Sequence, residues 1–257
     1  MHLSLVDSKD LSLDLNSGRL PLQDEVVLQR CVSHFRNIHS TAALEAAGHR
    51  VVNPFACAAT CGNKLYTTLA LVRSRIPTPR TRLALSEDSA LRTAEAIGFP
   101  VVLKPVVGSW GRLAALLKDR DGARAVVEDR EEMFPLYRVY YIQEFVKRPP
   151  RDIRSFVVGG RTVAAIHRQS GDSDWRTNTA RGGKAVALKV SKELDELSLR
   201  AARAVGGEVV GVDLMESEGG LVVHEVNGTT EFKNTVPATG VDIPALIVDY
   251  LVSVQRR

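Results

Sequence analysis

The chain has 257 residues, 44% hydrophobic and 25% charged, enough for one large or two to three small domains with a real core. No apolar run approaches the roughly 20 residues that cross a bilayer, and Asp7 interrupts the start before a secretory leader could form, so a cytoplasmic location without a membrane partner is expected. A net charge of +4 with only 5% aromatics, and no zinc finger or basic run interleaved with aromatics, gives no reason to expect a nucleic-acid partner.

Strand-like and helix-like patterns alternate along the chain, predicting an α/β or α+β architecture. Residues 2–6 read as a strand. His39 to Gly48 reads as a short amphipathic helix stopped by glycine, and 50–54 as a strand ending at Pro54. These read as the tail of a small βαβ domain, with its first strand and helix expected to be absent. Cys57 and Cys61 have no second Cys/His pair to complete a zinc site, and with Cys31 they form no disulfide framework. Residues 62–72 carry apolar positions at helical spacing. Pro77 and Pro79 make a rigid connector. Ser86, followed by two acids, caps a helix that Gly98 ends. A buried strand 100–106, a glycine-bracketed loop, strand 112–118, helix 122–133 and strand 137–146 follow, with a turn or linker at 147–151. The Gly159–Gly160 pair between alternating runs 153–158 and 161–168 predicts a hairpin. After a polar loop at 170–183 come a helix from Ser191 to Val205, strands 208–216 and 221–227 around Gly219–Gly220, and a helix at about 242–254.

Asp213, Glu225 and Asn227 sit in otherwise apolar strands. Residues two apart share a face, so pairing through Gly219–Gly220 sets Asp213 opposite the Glu225–Asn227 end. Three oxygen ligands on one face, where an unpaired buried acid would be costly, suit magnesium completed by nucleotide phosphates. Lys104 in an apolar strand needs an anion. Lys64 opens a helix, where phosphate binds well. Arg154, Arg168 and Arg181 add bidentate donors. The loop Gly108, Ser109, Trp110, Gly111, Arg112 lets backbone N–H groups approach phosphates. Gln143, Glu144, Phe145 and Val146 end a strand before a proline linker, a junction whose backbone could read an adenine edge. His34, His39, His167 and His224 lack the partners of a nucleophile–base pair, and the two latter read as plain strand residues. No Walker A or nucleophile-elbow motif occurs.

These stretches, with Cys61–Lys64, Arg151–Arg154, Thr177–Gly183 and Glu225–Thr235, resemble the RimK/LysX group of the ATP-grasp superfamily from about residue 20 onward. The resemblance implies an ATP-grasp fold: a truncated N-terminal βαβ domain (1–60), a central subdomain with a phosphate lid (61–146) and a C-terminal subdomain with the magnesium site (147–257). It implies an ATP-dependent, ADP-forming carboxylate–amine ligase working through an acyl-phosphate. Lys64, Lys104 and the 108–112 loop would contact ATP phosphates, and Gln143 to Val146 would hold adenine. Asp152 and Arg154 would lie near the nucleotide and acyl-phosphate, and Arg168, Asn178 and Arg181 would bind the reacting carboxylate or γ-phosphate. Asp213, Glu225 and Asn227 would hold Mg2+, for which Mn2+ could stand in. Gly228, Thr229, Thr230, Glu231, Phe232, Lys233 and Asn234 would help to choose the amino acid. The implied partner is LysW, a small acidic carrier whose C-terminal glutamate γ-carboxylate accepts the α-amine of α-aminoadipate, in lysine biosynthesis. A glutamate–LysW ligase of arginine biosynthesis, a dual-specific enzyme and a glutamate ligase for another protein acceptor remain open, as do a nucleotide-binding module without chemistry and a homo-oligomer (dimer or tetramer). The resemblance implies a complete opening strand and helix, which this chain is expected to lack.

Overall fold

The computed structural model describes residues 5–16, 26–109, 111–169 and 184–255. It opens with strand β1 (Val26–Leu28), which the sequence did not announce. Its register is parallel to β2 (Arg50–Val52), Val27 lying against Val51, and helix α1 (His34–Ala46) connects the two. Helix α1 starts at His34, ahead of the expected His39, because its first turn lacks the apolar spacing on which that expectation relied and buries Asn37 instead. Leu5 and Val6 are not in a strand; residues 2–4 lie outside the described residues. A further short helix unread in the sequence, α2 (Phe55–Cys61), leads into α3 (Lys64–Arg73). Helix α3 is started by Asn63, whose side chain accepts from Leu65 N at 2.9 Å and Tyr66 N at 3.4 Å, satisfying N–H groups that a helix start otherwise leaves open.

A four-stranded antiparallel sheet follows, ordered β3 (Thr81–Ala84), β6 (Tyr140–Glu144), β4 (Val101–Lys104), β5 (Ala115–Leu117). Helices α4 (Glu87–Ile97) and α5 (Arg120–Glu131) cover one face. Ser86 caps α4 with a reciprocal bond to Ser89, as its position before two acids suggested. Val101, Leu103, Tyr140 and Ile142 alternate inward against these helices, forming one core with Leu91 and Val127. The opposite face, by the same period of two, carries Val102, Lys104, Tyr141 and Gln143. Tyr141 bonds Thr68 of α3 through its hydroxyl at 2.7 Å.

The second sheet has five antiparallel strands, ordered β11 (Gly220–Asn227), β10 (Val209–Ser217), β7 (Arg151–Val158), β8 (Arg161–Gln169), β9 (Lys184–Ala187). β7 begins at Arg151, inside the segment expected to be a linker. The β7–β8 hairpin turns at Gly159 (φ 56°) and Gly160 (φ 79°), the paired positive φ that a tight right-twisting hairpin requires. One sheet face packs Ile153, Val157, Val210, Val212 and Leu214 on helix α6 (Lys192–Ala204), capped by Ser191, and on α2 and α3. The other face is split. Phe156, Val158 and Val209 pack on helix α8 (Ile243–Gln255) and Val52 of β2, while the remaining positions carry the polar residues described next. A short helix α7 (Thr235–Thr239) joins β11 to α8. Among the described residues no helix is long and apolar enough to cross a membrane.

Candidate active site

The register of the five-stranded sheet assembles the site. Asp213 on β10 lies opposite Glu225 on one side and Arg154 on the other, and Asp152 of β7 lies opposite Arg168 of β8. All five point away from the core shared with α6, because their neighbours Ile153, Val212, Leu214 and Val226 occupy it. Arg154 donates to both Asp213 oxygens at 2.7 Å, and Arg168 makes a matching fork to Asp152 at 2.7 and 2.8 Å. Arg168 also reaches Asp213 Oδ2 at 3.1 Å, and Asn227 donates to that oxygen at 3.3 Å. Burial alone would raise the Asp213 carboxyl, but the two guanidiniums outweigh it and hold it well below the usual carboxylate range. Each charge in this buried network has a partner, the condition under which buried ions are tolerated.

A β-bulge shapes the next position. Glu225 and Val223 of β11 face Asp213 and Leu214, consecutive residues of β10, so His224 is the extra residue. Strict alternation would have sent His224 into the α6 core, which is why it read as an ordinary strand residue. Instead Val223 and Val226 fill that core while His224 and Glu225 both line the cleft. Burial first, then the Lys104 charge, pushes the His224 imidazole down to about 4, so it is neutral near pH 7. Its Nε2 is buried with no hydrogen-bond partner among the described residues, an open donor or acceptor on a residue that lines the cleft.

The four-stranded sheet and helix α3 contribute one lysine each. Lys104 Nζ donates to Gln143 Oε1 at 2.6 Å, and burial pushes its ammonium down to about 8. Lys64, first residue of α3, donates to Gly108 O at 2.6 Å and lies 3.4 Å from Glu225. Burial opposes ionisation of Glu225, but Lys64 leads the cations that hold it below its ordinary value. One cleft of about 860 Å3 is lined by both lysines, by Gly108, Ser109, Gly111 and Arg112, by Asp152, Arg154, Arg168, Asp213, His224, Glu225 and Asn227, and by Gly228, Thr229, Thr230, Glu231, Lys233 and Asn234. Residues from the N-terminal unit complete it: Gln29, Cys31, Val32, His34, Asn37 and Asn53. No role was legible for these in the sequence, since their polarity is scattered over a segment of weak periodicity.

Several expected residues are placed differently. Gln143, Glu144, Phe145 and Val146 are not among the described residues lining the cleft. Gln143 is buried and engaged by Lys104, Thr81 and Tyr141, so it orients the lysine. Glu144 accepts from the Arg80 backbone N–H at 2.8 Å, and the N–H groups of Glu144 and Phe145 go to Arg80 O and Pro100 O. Phe232 packs beneath Arg30, away from the cleft wall. Trp110, Asn178 and Arg181 lie outside the described residues.

Two antiparallel sheets, one bringing Lys104 and the other the acids to a cleft that Lys64 of α3 also lines, are the arrangement of the ATP-grasp class of ligases, which use ATP with magnesium. The chain belongs to the RimK-like ATP-grasp domain family, whose model matches residues 61–251. It is similar to the alpha-aminoadipate–LysW ligase LysX of Saccharolobus solfataricus, at 39% identity over 250 residues, 96% of this chain and 90% of that protein. It is 35% identical to the glutamate–LysW ligase ArgX of Sulfolobus acidocaldarius over 229 residues, 88% of this chain and 81% of that protein. The RimK-domain ATP-grasp protein of Sphaerobacter thermophilus superposes with a TM-score of 0.70 at 25% identity, covering 88% of this chain and 81% of that one.

Proposed function

We propose that this ligase joins the α-amine of α-aminoadipate to the C-terminal glutamate γ-carboxylate of a LysW-type carrier, with ATP as the driving substrate. The observation that carries the ligase chemistry is the register that sets Asp213 against Glu225, with Asn227 bonded to Asp213, facing Lys64 and Lys104. Two carboxylates and an amide on one face fit a hard divalent cation. Bound there by Asp213, Glu225 and Asn227, magnesium would supply charge neutralisation for the phosphates. Lys64 and Lys104 would take phosphate oxygens, and Gly108 to Arg112 would cover them with backbone N–H groups. Arg154 and Arg168, held in place by Asp213 and Asp152, present donors to the charge that develops as the carboxylate is phosphorylated and then attacked by the amine. His224 Nε2 offers one more neutral contact. The greater identity to LysX than to ArgX supports aminoadipate over glutamate.

Mass spectrometry of a LysW-type carrier, after incubation with Mg·ATP and both amino acids, tests the reading. A gain of aminoadipate minus water on the terminal glutamate is expected. A gain of glutamate minus water makes it an ArgX-type enzyme. ATP hydrolysis without modification of the carrier sends the search to another acceptor.

A further inference from the structure

Residues 228–234 form neither helix nor strand. Ladder hydrogen bonds therefore do not fix their path, and something else must. The N-terminal unit does so through three side chains. Asn53, buried, donates to Gly228 O and Val209 O at 2.7 Å each, while its own oxygen accepts from Glu208 N at 2.8 Å and Val209 N at 2.9 Å. Asn53 therefore ties the start of the segment to β10. Asn37, buried on α1, donates to Thr229 Oγ1 at 3.0 Å and to Cys31 O at 3.2 Å. Arg30 donates to Thr230 O at 2.9 Å, lies 3.5 Å from the Glu231 carboxylate and stacks 5.1 Å above the Phe232 ring. From below, Gly211 leaves the room Thr230 needs: a Cβ there would lie 2.3 Å from Thr230 Oγ1.

We infer that Arg30 and Asn37 are positioning residues for amino-acid selection: they set the shape of the 229–231 wall, so the N-terminal unit shares control of which amino acid the ligase accepts. The inference rests on the reading of 228–234 as the amino-acid wall. The two dicarboxylic amino acids differ by one methylene, which a pocket discriminates by only about 10–200-fold. A wall displaced by a fraction of that group's length forfeits the discrimination. Asn53 differs in kind. It is bonded mainly to β10 backbone, and its loss would loosen the fold as a whole. Arg30 and Asn37 reach the segment itself, from residues 30 and 37, and touch none of the acids or lysines of the nucleotide end. The two effects are therefore separable by substrate.

The test uses Arg30→Ala, Arg30→Lys and Asn37→Ser, with kcat and KM measured for α-aminoadipate and for glutamate on the carrier, and Mg·ATP affinity by calorimetry. Arg30→Ala should raise the amino-acid KM at least tenfold and bring the ratio of the two kcat/KM values toward unity. Mg·ATP affinity should stay within twofold. Arg30→Lys, which keeps the donor and the charge but cannot stack flat, should restore part of the ratio. Asn37→Ser should shift KM in the same direction by a smaller factor and serves as the readout if Arg30→Ala does not fold. An unchanged ratio in variants that still bind Mg·ATP overturns the inference and leaves the proposed reaction standing. A wild-type enzyme that turns over with neither amino acid overturns both.

Discussion

Lys104 shows how one residue trades stability for chemistry. Its folded pKa of about 8 lies below the roughly 10.4 of a free lysine. The unfolded chain therefore holds a proton between those values that the folded chain does not, and this contribution to stability grows as pH rises through the window. Near pH 7 the buried charge is a cost. Replacing it, Lys104→Met, should raise the free energy of unfolding at pH 7 by on the order of 1–2 kcal/mol, read as a higher thermal midpoint, while ATP-dependent ligation falls at least a hundredfold. A variant less stable than wild type at pH 7 would show that the ammonium already has its anion. In the wild type, kcat/KM for ATP should decline above about pH 8 as the free enzyme loses that charge, and a profile flat to pH 9.5 would remove Lys104 from phosphate binding. Asp213 has the opposite balance, because two arginines need it. Asp213→Ala leaves Arg154 without its carboxylate and should cost about 3–5 kcal/mol in denaturant unfolding besides abolishing turnover. Asp213→Asn, which keeps the shape, separates the two effects.

Among the elements, α3 and the bulged strand β11 do most to place functional groups. Asn63 starts α3 and fixes where Lys64 emerges, so Asn63→Ala should destabilise the protein by about 1 kcal/mol, with a matching rise in KM for ATP. The neighbouring Gly62 admits the His34 ring: a Cβ would lie 2.0 Å from its Nδ1. Gly62→Ala should therefore displace His34 and α1, costing about 1–3 kcal/mol by overpacking, detectable as a lower unfolding midpoint and easier proteolysis near residue 34. Strand β11 carries a different lesson. The alternation that correctly put Glu225 and Asn227 on one face misassigned His224, because a bulge inserts one residue without altering the apolar pattern on either side. Hairpins, the caps at Ser86 and Ser191 and the order of the later elements were readable because glycine pairs and serines before helices act locally. β1 and α2 were not: three residues and seven residues are too short for periodicity to register.

For the molecule as a whole, the cleft joins three parts: the four-stranded sheet with Lys104, the acid-bearing sheet with the helix α3 that packs on it, and the N-terminal unit. A ligand that bridges them and binds only the folded form must stabilise all three together. Mg·ATP at about a hundred times its dissociation constant should add about 2.7 kcal/mol, and chelating the metal should remove most of that gain. An unchanged melting curve would separate the cleft from the nucleotide.

By itself the sequence determined the α/β alternation, the later hairpins and the sharing of one strand face by Glu225 and Asn227, since each is written as a polar residue breaking an apolar strand or as a glycine-rich turn; the ligase class came from motifs that resemble a known family. Only the tertiary structure decided who holds those residues. Arg154 and Arg168 were read as ligands for substrate, and their forks to Asp213 and Asp152 depend on strand register. Gln143 was read as an adenine contact, and pleating turns it inward to Lys104. The bracing of residues 228–232 by Arg30, Asn37 and Asn53 spans 175 to 200 positions of chain. Contacts that distant leave no local period in a sequence, because they arise from how the sheets and the N-terminal unit meet.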